Sequence, residues 1–576
     1  MGIKGVERMT TKNAGIKNFL DGNIFPEDIF TPEDFSDEHK MIAETAEKFV
    51  VNEVMPALEK IEKQEFTETV RLMKQAGELG LIGADIPEEE GGLDLGKVSG
   101  AIIGEKMALG RSFSITFGGQ TGIGVLPIAY FGNQAQKAAY LPDLLSGEKI
   151  AAYALTEPSS GTDAMSLKTT AVLSEDGSHY MLNGEKQWIT NAAFADIFIV
   201  YAKVDGEKMT AFILEKDYEG LATGPEEQKM GLKGSSTRSL ILDNVAVPVE
   251  NVIGQIGRGH IIAFNVLNMG RFKISASALG SSKRAIELAA KYANERKQFG
   301  QPLSNFKLIQ QKLADMAIQT YANESAIYRT AGAMQKGFEE MQAHGGDYGK
   351  TLAGFAVECS INKVMSTEAL DFISDEAVQI HGGYGYMAEY EVEAIYRDSR
   401  INRIFEGTNE INRVIIAASL LKNEKSKADD QPFENGPLQQ EKQTLALMKE
   451  YGHSTIQALK QSELADMNEE QEAAAFLADL IIAIYTGESA VLRAEKSLAN
   501  LGEEQSAQMV DCVKVYVHEK AQWCFVNALN ILHHLHHHQE SLFHTAGRLM
   551  SSTPHNIVER KRRIAARVIA AEKYII

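Results

Sequence analysis

Three cysteines in 576 residues, Cys359, Cys512 and Cys524, are too few for a disulfide framework, and no CxxC pair is present to hold zinc. A reducing compartment fits that usage. Long apolar runs are missing as well, since no stretch reaches the ~18 consecutive apolar residues of a spanning helix. Residues Met1 to Thr31 hold no apolar run of signal-peptide length and mix Asp and Glu with Lys, so neither secretion nor an Arg-rich transit peptide is supported. The expected location is the cytoplasm. Positive charge is in deficit: Lys and Arg number 58 against 78 Asp and Glu, a net charge of −20. That balance argues against nucleic acid as the main partner, because polyanion affinity rests on cations that neutralise phosphates.

What is present is ordinary for a soluble chain, with 44% hydrophobic and 24% charged residues and length for three or four domains. Residues 1–34 read as an extension. From 35 to 150 the pattern is helical, with Met41, Ala43, Ala46, Phe49, Val50 and Val54 near 3.6-residue spacing and Pro56 marking a kink or end. Further helices are expected over Glu68 to Glu78, stopped at Gly80, and over Val98 to Leu109. Between them Glu88, Glu89 and Glu90 before Gly91-Gly92 read as a solvated loop. The glycine-rich run from Gly118-Gly119 to Gly124 permits close approach of backbone or ligand.

Near residue 151 the texture changes to short β-rich segments. Asp176-Gly177, Asn183-Gly184 and Asp205-Gly206 are turn signals, and Asp196 to Ala202, Met209 to Leu214 and Arg238 to Asp243 read as strands. Residues 151–257 are therefore expected to form a β-domain, a small barrel. Helical periodicity returns over 258–422. Glycines 382, 383 and 385 do not give GxGxxG after a strand, so no Rossmann site is read there. Residues 423–437 are a linker by composition, and 438–576 form a further helical unit. Its run His533 to His538 reads as adventitious metal affinity rather than a native site, because consecutive histidines do not share one helix face. Its basic patch, Arg560 to Arg563 with Arg567, reads first as a solvated helix face, with contact to an anionic membrane surface as the alternative.

One stretch suggests chemistry. In Asp398 to Ile411 a single glutamate, Glu406, stands between Phe405 and Gly407. Partial desolvation there would raise its pKa toward the range of a general base. The plain alternative is a helix end followed by a new cap. The loop Thr156 to Asp163 is too polar for core and offers backbone N–H groups and hydroxyls to a ligand. Arg296, near a helix end, suits the helix dipole whatever else it does.

These segments together resemble the acyl-CoA dehydrogenase family, most closely its very-long-chain branch. The resemblance rests on Tyr153 to Asp163, Trp188-Ile189-Thr190, Met230 to Ser236, Arg271-Phe272, Arg296 to Gly300, Gln379 to Gly383 and Arg403 to Asn409, in family order. It implies a mainly α fold with a central β-domain: an N-terminal α-domain, a middle β-barrel and a C-terminal four-helix bundle, here with an extra C-terminal helical domain. It implies Glu406 as the base that removes an α-proton from an acyl-CoA thioester, with hydride passing to FAD, because the alternative position before Arg271 is Gly270. FAD would be held by Tyr153, Leu155, Thr156, Gly161, Thr162, Trp188, Ile189 and Thr190, and by Thr408, Asn409 and Glu410. Arg296, Gln298, Phe299, Gln379, Gly382 and Gly383 would reach it from a neighbouring subunit, so a homodimer or larger homo-oligomer is implied. Substrate would meet Thr162, Arg271, Phe405, Gly407 and Gly118. No metal is implied.

Two departures from the family pattern are Thr162, where serine is frequent, and His381, where a small or apolar residue is frequent; His381 is given no catalytic role. Small residues at Ser114 and Gly118-Gly119, where shorter-chain members place larger side chains, imply a long-chain acyl-CoA substrate, and the family implies electron-transfer flavoprotein as acceptor. Two rivals are an acyl-CoA oxidase, which passes electrons to oxygen, and a binding protein of the same fold. The retained Glu406 weighs against the second.

Overall fold

The computed structural model describes residues 24–422, 438–461, 470–534 and 556–576, with isolated positions besides. Most of the linker read at 423–437 and most of the histidine run lie outside the described residues. His534, which is described, is exposed and meets Glu470 at 2.6 Å. Among the described residues no group of His, Cys, Asp and Glu could hold a metal.

Helices α1 (Asp37–Phe49), α2 (Met55–Glu62), α3 (Phe66–Glu78), α4 (Gly96–Met107), α5 (Ser112–Gly118), α6 (Leu126–Phe131) and α7 (Gln134–Leu145) form the first unit. Ser36 caps α1 by accepting from His39 N–H at 3.2 Å. Pro56 does not end the helical path. A wide π turn, Val50–Val54, precedes it, and Pro56 then occupies the first turn of α2, where its missing N–H costs nothing. Of the three glutamates before Gly91, Glu88 and Glu89 are exposed as expected and Glu90 is not. Glu88–Glu90 form a single 3₁₀ turn in which Glu90 is buried against Lys137 and Glu89 accepts from Tyr348 at 3.1 Å.

Eight strands follow: β1 (Ala151–Ala154), β2 (Thr170–Leu173), β3 (His179–Thr190), β4 (Ile197–Val204), β5 (Lys208–Glu215), β6 (Leu221–Thr223), β7 (Thr237–Pro248) and β8 (Val252–Ile253). Their order is β6-β7-β3-β2-β4-β5-β8, with β1 parallel to β4. Alternation along β4 and β5 buries both faces. Phe198, Val200, Phe212 and Leu214 fill the core of the sheet, while Ile197, Ile199, Tyr201 and Ile213 join the core of the helices. Asn183-Gly184 is not a turn: the pair lies inside β3 at a register shift, and a Cβ on Gly184 would lie 2.5 Å from Thr169 Oγ1.

The next unit is built on two long helices, α8 (Gly259–Glu295) and α9 (Lys307–His344), with α10 (Tyr348–Ala353), α11 (Ala356–His381), α12 (Glu391–Ser399) and α13 (Asn409–Lys422). The chain then adds α14 (Gln439–Gln461), α15 (Gln471–Leu501), α16 (Glu503–His534) and α17 (Ile557–Ala571). Helix α15 is long and apolar enough to cross a membrane, yet it is almost wholly buried inside the protein. Its Arg493 bonds Glu33 and Glu324 at 2.7 Å each, and Glu324 also meets Lys283 at 2.5 Å. These buried pairs tie the N-terminal segment, α8, α9 and α15 together. The basic patch on α17 is largely consumed in the same way: Arg560 and Arg563 both bond Asp511, and Lys561 bonds Asp315 and Glu519.

Candidate active site

Glu406 and Gly407 stand at the entry to α13 with φ of +55° and +79°. A glutamate in the left-handed region costs of order 1–3 kcal/mol and persists only where surroundings over-determine it. Here they do. Arg271 Nε donates to Glu406 O at 3.0 Å, Lys363 Nζ donates to Gly407 O at 2.9 Å, and Asn412 Nδ2 donates to the same carbonyl at 2.9 Å. Arg271 is itself fixed by Asn268 Oδ1 at 2.7 Å, and Lys363 by Asn409 Oδ1 at 2.6 Å. Three helices, α8, α11 and α13, thus hold one two-residue turn.

The carboxylate turns the other way, toward α8 and the N-terminal helices. Its Oε2 is sealed from solvent and has no hydrogen-bond partner. Burial pushes Glu406 up to about 7, against the pull of the Arg271 and Lys363 charges. Burial, reinforced by Arg271, pushes Lys363 down to about 7. A carboxyl poised there can take a proton near neutral pH.

Glu406 and Phe405 line a cleft of about 830 Å³, counting its open mouth, that runs between α4, α5 and α8. Its far wall carries Ile103, Met107, Phe117 and Ile274, and Thr190 at the end of β3 lines it from the β-domain side. Gly118 faces this space, and a Cβ there would meet nothing within 4 Å. Gly119 and Gly124 do the opposite job: a Cβ there would lie 3.1 Å from Asn191 Nδ2 and 2.8 Å from Ala151 Cβ, respectively. The glycine run therefore serves both purposes, ligand space at 118 and close backbone packing at 119 and 124. Gln120 completes the seam by accepting from Ala151 N–H at 2.7 Å and donating to Leu144 O at 2.8 Å.

The β-domain edge beside the cleft carries the residues expected to hold a flat cofactor. Tyr153 lies close enough to Glu406 and Arg271 to feel both charges. Trp188 is 58% exposed with φ +60°, an indole held outward on strained backbone. Gly161 and Thr162 are exposed in the loop after β1, and a Cβ at Gly161 would meet nothing. Leu155 and Ile189 are buried beneath them, and Thr156 is half-buried. That loop is fastened by a buried pair the sequence pattern does not reveal, Lys186 Nζ to Glu157 Oε1 at 2.7 Å. An exposed aromatic, open backbone and free hydroxyls beside the cleft fit an aromatic ring system lying across its mouth.

The remaining expected cofactor residues fall elsewhere. Arg296, Gln298, Gly382 and Gly383 line a second cleft with His381 and Tyr384, and Gln379 and Phe299 are exposed nearby, Phe299 by 92%. The Arg296 guanidinium sits 5.3 Å over the Tyr384 ring. His381 packs its ring on Tyr292 at 4.2 Å and bonds Ala377 O, a core role. Arg296, just past the end of α8, lies 26 residues beyond Gly270, about 39 Å along the helix axis. One chain therefore does not bring this group to the Glu406 cleft. At the start of α13, Thr408 caps the helix through Ile411 N–H at 3.3 Å and Glu410 is exposed. The Asn409 side chain bonds Lys363, Thr367 and Glu368 inside the fold.

Family models described as acyl-CoA dehydrogenase N-terminal, middle and C-terminal domains match residues 36–148, 152–245 and 257–421, and a second C-terminal-domain model matches 452–544. A Bacillus subtilis protein named probable acyl-CoA dehydrogenase is 49% identical over 596 aligned residues, 99% of this chain and 100% of that one. The chain belongs to the acyl-CoA dehydrogenase family. Among acyl-CoA dehydrogenases of known structure, one from Bacillus anthracis, solved complexed with FAD, superposes with a TM-score of 0.94 at 50% identity, covering 98% of this chain and 100% of that one. The butyryl-CoA dehydrogenase of Megasphaera elsdenii matches 68% of this chain and 99% of its own, with a TM-score of 0.61 at 34% identity. The rat very long-chain specific acyl-CoA dehydrogenase is 41% identical over 371 residues, 63% of this chain and 53% of that protein. The acyl-CoA dehydrogenase architecture of helical, β and helical units plus further C-terminal helices is thus the one observed.

Proposed function

We propose that this chain binds FAD and dehydrogenates long-chain acyl-CoA thioesters to trans-2-enoyl-CoA, with Glu406 as the base. The observation that carries the reading is the half-buried Glu406 carboxyl, raised to about 7, facing a largely apolar cleft that Thr190 of the β-domain lines from the other side. FAD, when bound, supplies the acceptor for the β-hydrogen as hydride. Tyr153, Gly161, Thr162 and Trp188 would hold it at the mouth of the cleft.

The residues of the chain account for the rest. Ionised Glu406 takes the α-proton, and burial of Oε2 away from bulk solvent strengthens that base. The N–H of Glu406 donates to no backbone acceptor among the described residues, leaving it for the thioester oxygen as negative charge develops there. Arg271 and Lys363 hold the carbonyls of the turn, so the base enters the reaction already oriented. The open space at Gly118 supports a long acyl chain, and a hydrophobic cavity discriminates weakly per methylene, so preference should be broad.

The Arg296 cleft lies too far along α8 to serve its own chain's Glu406, which supports a homo-oligomer that pairs each cleft with a partner's site. Electrons would leave to electron-transfer flavoprotein in cytoplasmic fatty acid β-oxidation. Anaerobic titration of the purified yellow protein with palmitoyl-CoA tests the reading. Wild type should bleach and Glu406→Gln should not, with FAD retained in both; equal bleaching would reject Glu406 as the base. Reoxidation of the reduced enzyme by electron-transfer flavoprotein rather than dioxygen separates a dehydrogenase from an oxidase.

A further inference from the structure

The wall of the acyl cleft is not uniformly apolar. One turn along α8 from Gly270, Lys273 sends its ammonium to Asp85 Oδ1 at 3.2 Å and to the carbonyl of Thr121 at 3.0 Å. Lys273 and Asp85 line the same cleft as Glu406. Behind them Lys97 donates to the Asp85 carbonyl at 2.7 Å and to Tyr130 OH at 2.8 Å, and stands 3.4 Å from Asp85 Oδ2. Asp85 and Lys97 are each only 5% exposed.

Gly100 gives the cluster room, since a Cβ there would lie 3.1 Å from Asp85 Oδ2. Stability alone does not explain the cluster, because a buried ion pair is often no better than apolar residues of the same volume. Asp85 thus has two ammonium partners, Lys273 at the cleft wall and Lys97 behind it. Lys273 has three N–H donors and two protein acceptors among the described residues. In the same cleft the hydroxyls of Ser114 and Ser277 meet only each other among the described residues, at 3.2 Å, while Ser114 and Ser277 also line the next cleft inward.

We propose that Lys273, set by Asp85, is a specificity-determining residue that recognises an acceptor oxygen on the acyl chain, a hydroxyl or a carboxylate, so that oxygenated acyl-CoAs are favoured over plain chains of equal length. The inference rests on the dehydrogenase reading above and adds a substrate class to it. A plain alkyl chain leaves the third donor unmet beside hydrocarbon; an oxygen at that point satisfies it.

The test uses the FAD-loaded enzyme with plain, ω-hydroxy and ω-carboxy acyl-CoAs from hexanoyl to hexadecanoyl. The readouts are kcat/KM and the Kd of the matching enoyl-CoA, followed through the flavin spectrum. At the length that sets the oxygen beside Lys273, the oxygenated-to-plain ratio should rise by about tenfold or more. A peak for the carboxylate alone assigns the anionic class, and a peak for both assigns any acceptor oxygen. Lys273→Met should flatten the peak and improve the plain chain. A flat ratio at every length in wild type, or a peak that survives Lys273→Met, overturns the proposal while leaving dehydrogenation intact. Failure of every acyl-CoA to reduce the flavin overturns both. Should Lys273→Met fail to hold FAD, Lys273→Arg must move the length at which the ratio peaks, and an unmoved peak counts against the assignment.

Discussion

The carboxylate of Glu406 rests against the bare backbone of Gly270. A Cβ built on Gly270 would lie 3.0 Å from Cδ, Oε1 and Oε2 of Glu406. Gly270→Ala should therefore displace the base by a few tenths of an ångström or more without touching the cofactor edge. Misplacing a reacting group by ~1 Å costs roughly 10²-fold, so kcat should fall about 10- to 100-fold with FAD content unchanged. Unchanged kcat in stopped-flow flavin reduction would mean that the carboxylate does not work from this position.

Gly118 offers the opposite case, an empty position. Because a side chain there meets open space, Gly118→Leu should fold normally and fill the cleft. Activity on palmitoyl-CoA should fall at least about tenfold relative to butyryl-CoA, within what a hydrophobic cavity can discriminate. A parallel fall for both substrates would place the acyl chain elsewhere.

Lys363 is a positioning residue whose effect reads out in pH. Its charge pulls Glu406 down from where burial alone would hold it. Lys363→Met should then move the acid limb of the kcat–pH profile upward, and should lower kcat by freeing the carbonyl of Gly407. A fall in kcat with no movement of the limb would leave Lys363 a merely structural role.

Stability should carry the sign of the Glu406 shift. The folded protein holds this proton up to about 7, while an unfolded glutamate releases it near 4.3. The folded state therefore binds the extra proton between those values, and stability falls as pH rises through them. Glu406→Gln removes the penalty. It should gain about 3–4 kcal/mol at pH 8 and about 1 kcal/mol at pH 5, measured by thermal or urea unfolding. Equal changes at both pH values would contradict the burial of the charge.

Local signals made much of this legible from the sequence. Periodicity located α1, α3 and α4, apolar β-branched runs located β4, β5 and β7, and Glu406, which local sequence alone left open between a base and a helix end, was singled out by the family resemblance. What escaped was non-local. Lys363 meets Gly407, Asp85 meets Lys273, and Glu157 meets Lys186 across gaps that carry no spacing rule. Glu90 looked solvated because Lys137 lies on another helix. Asn183-Gly184 looked like a turn because the dipeptide is the same whether it reverses a chain or bulges inside β3 against Thr169.

The central claim is that Glu406 removes the α-proton, and anaerobic stopped-flow reduction with α-dideuterated palmitoyl-CoA across neutral pH tests it most directly. Wild type should show a primary isotope effect on flavin reduction and a rate that rises with an apparent pKa near 7. Glu406→Gln, still yellow, should lose flavin reduction by several orders of magnitude. A Glu406→Gln enzyme that reduces its flavin at the wild-type rate, with the same isotope effect, would contradict the account.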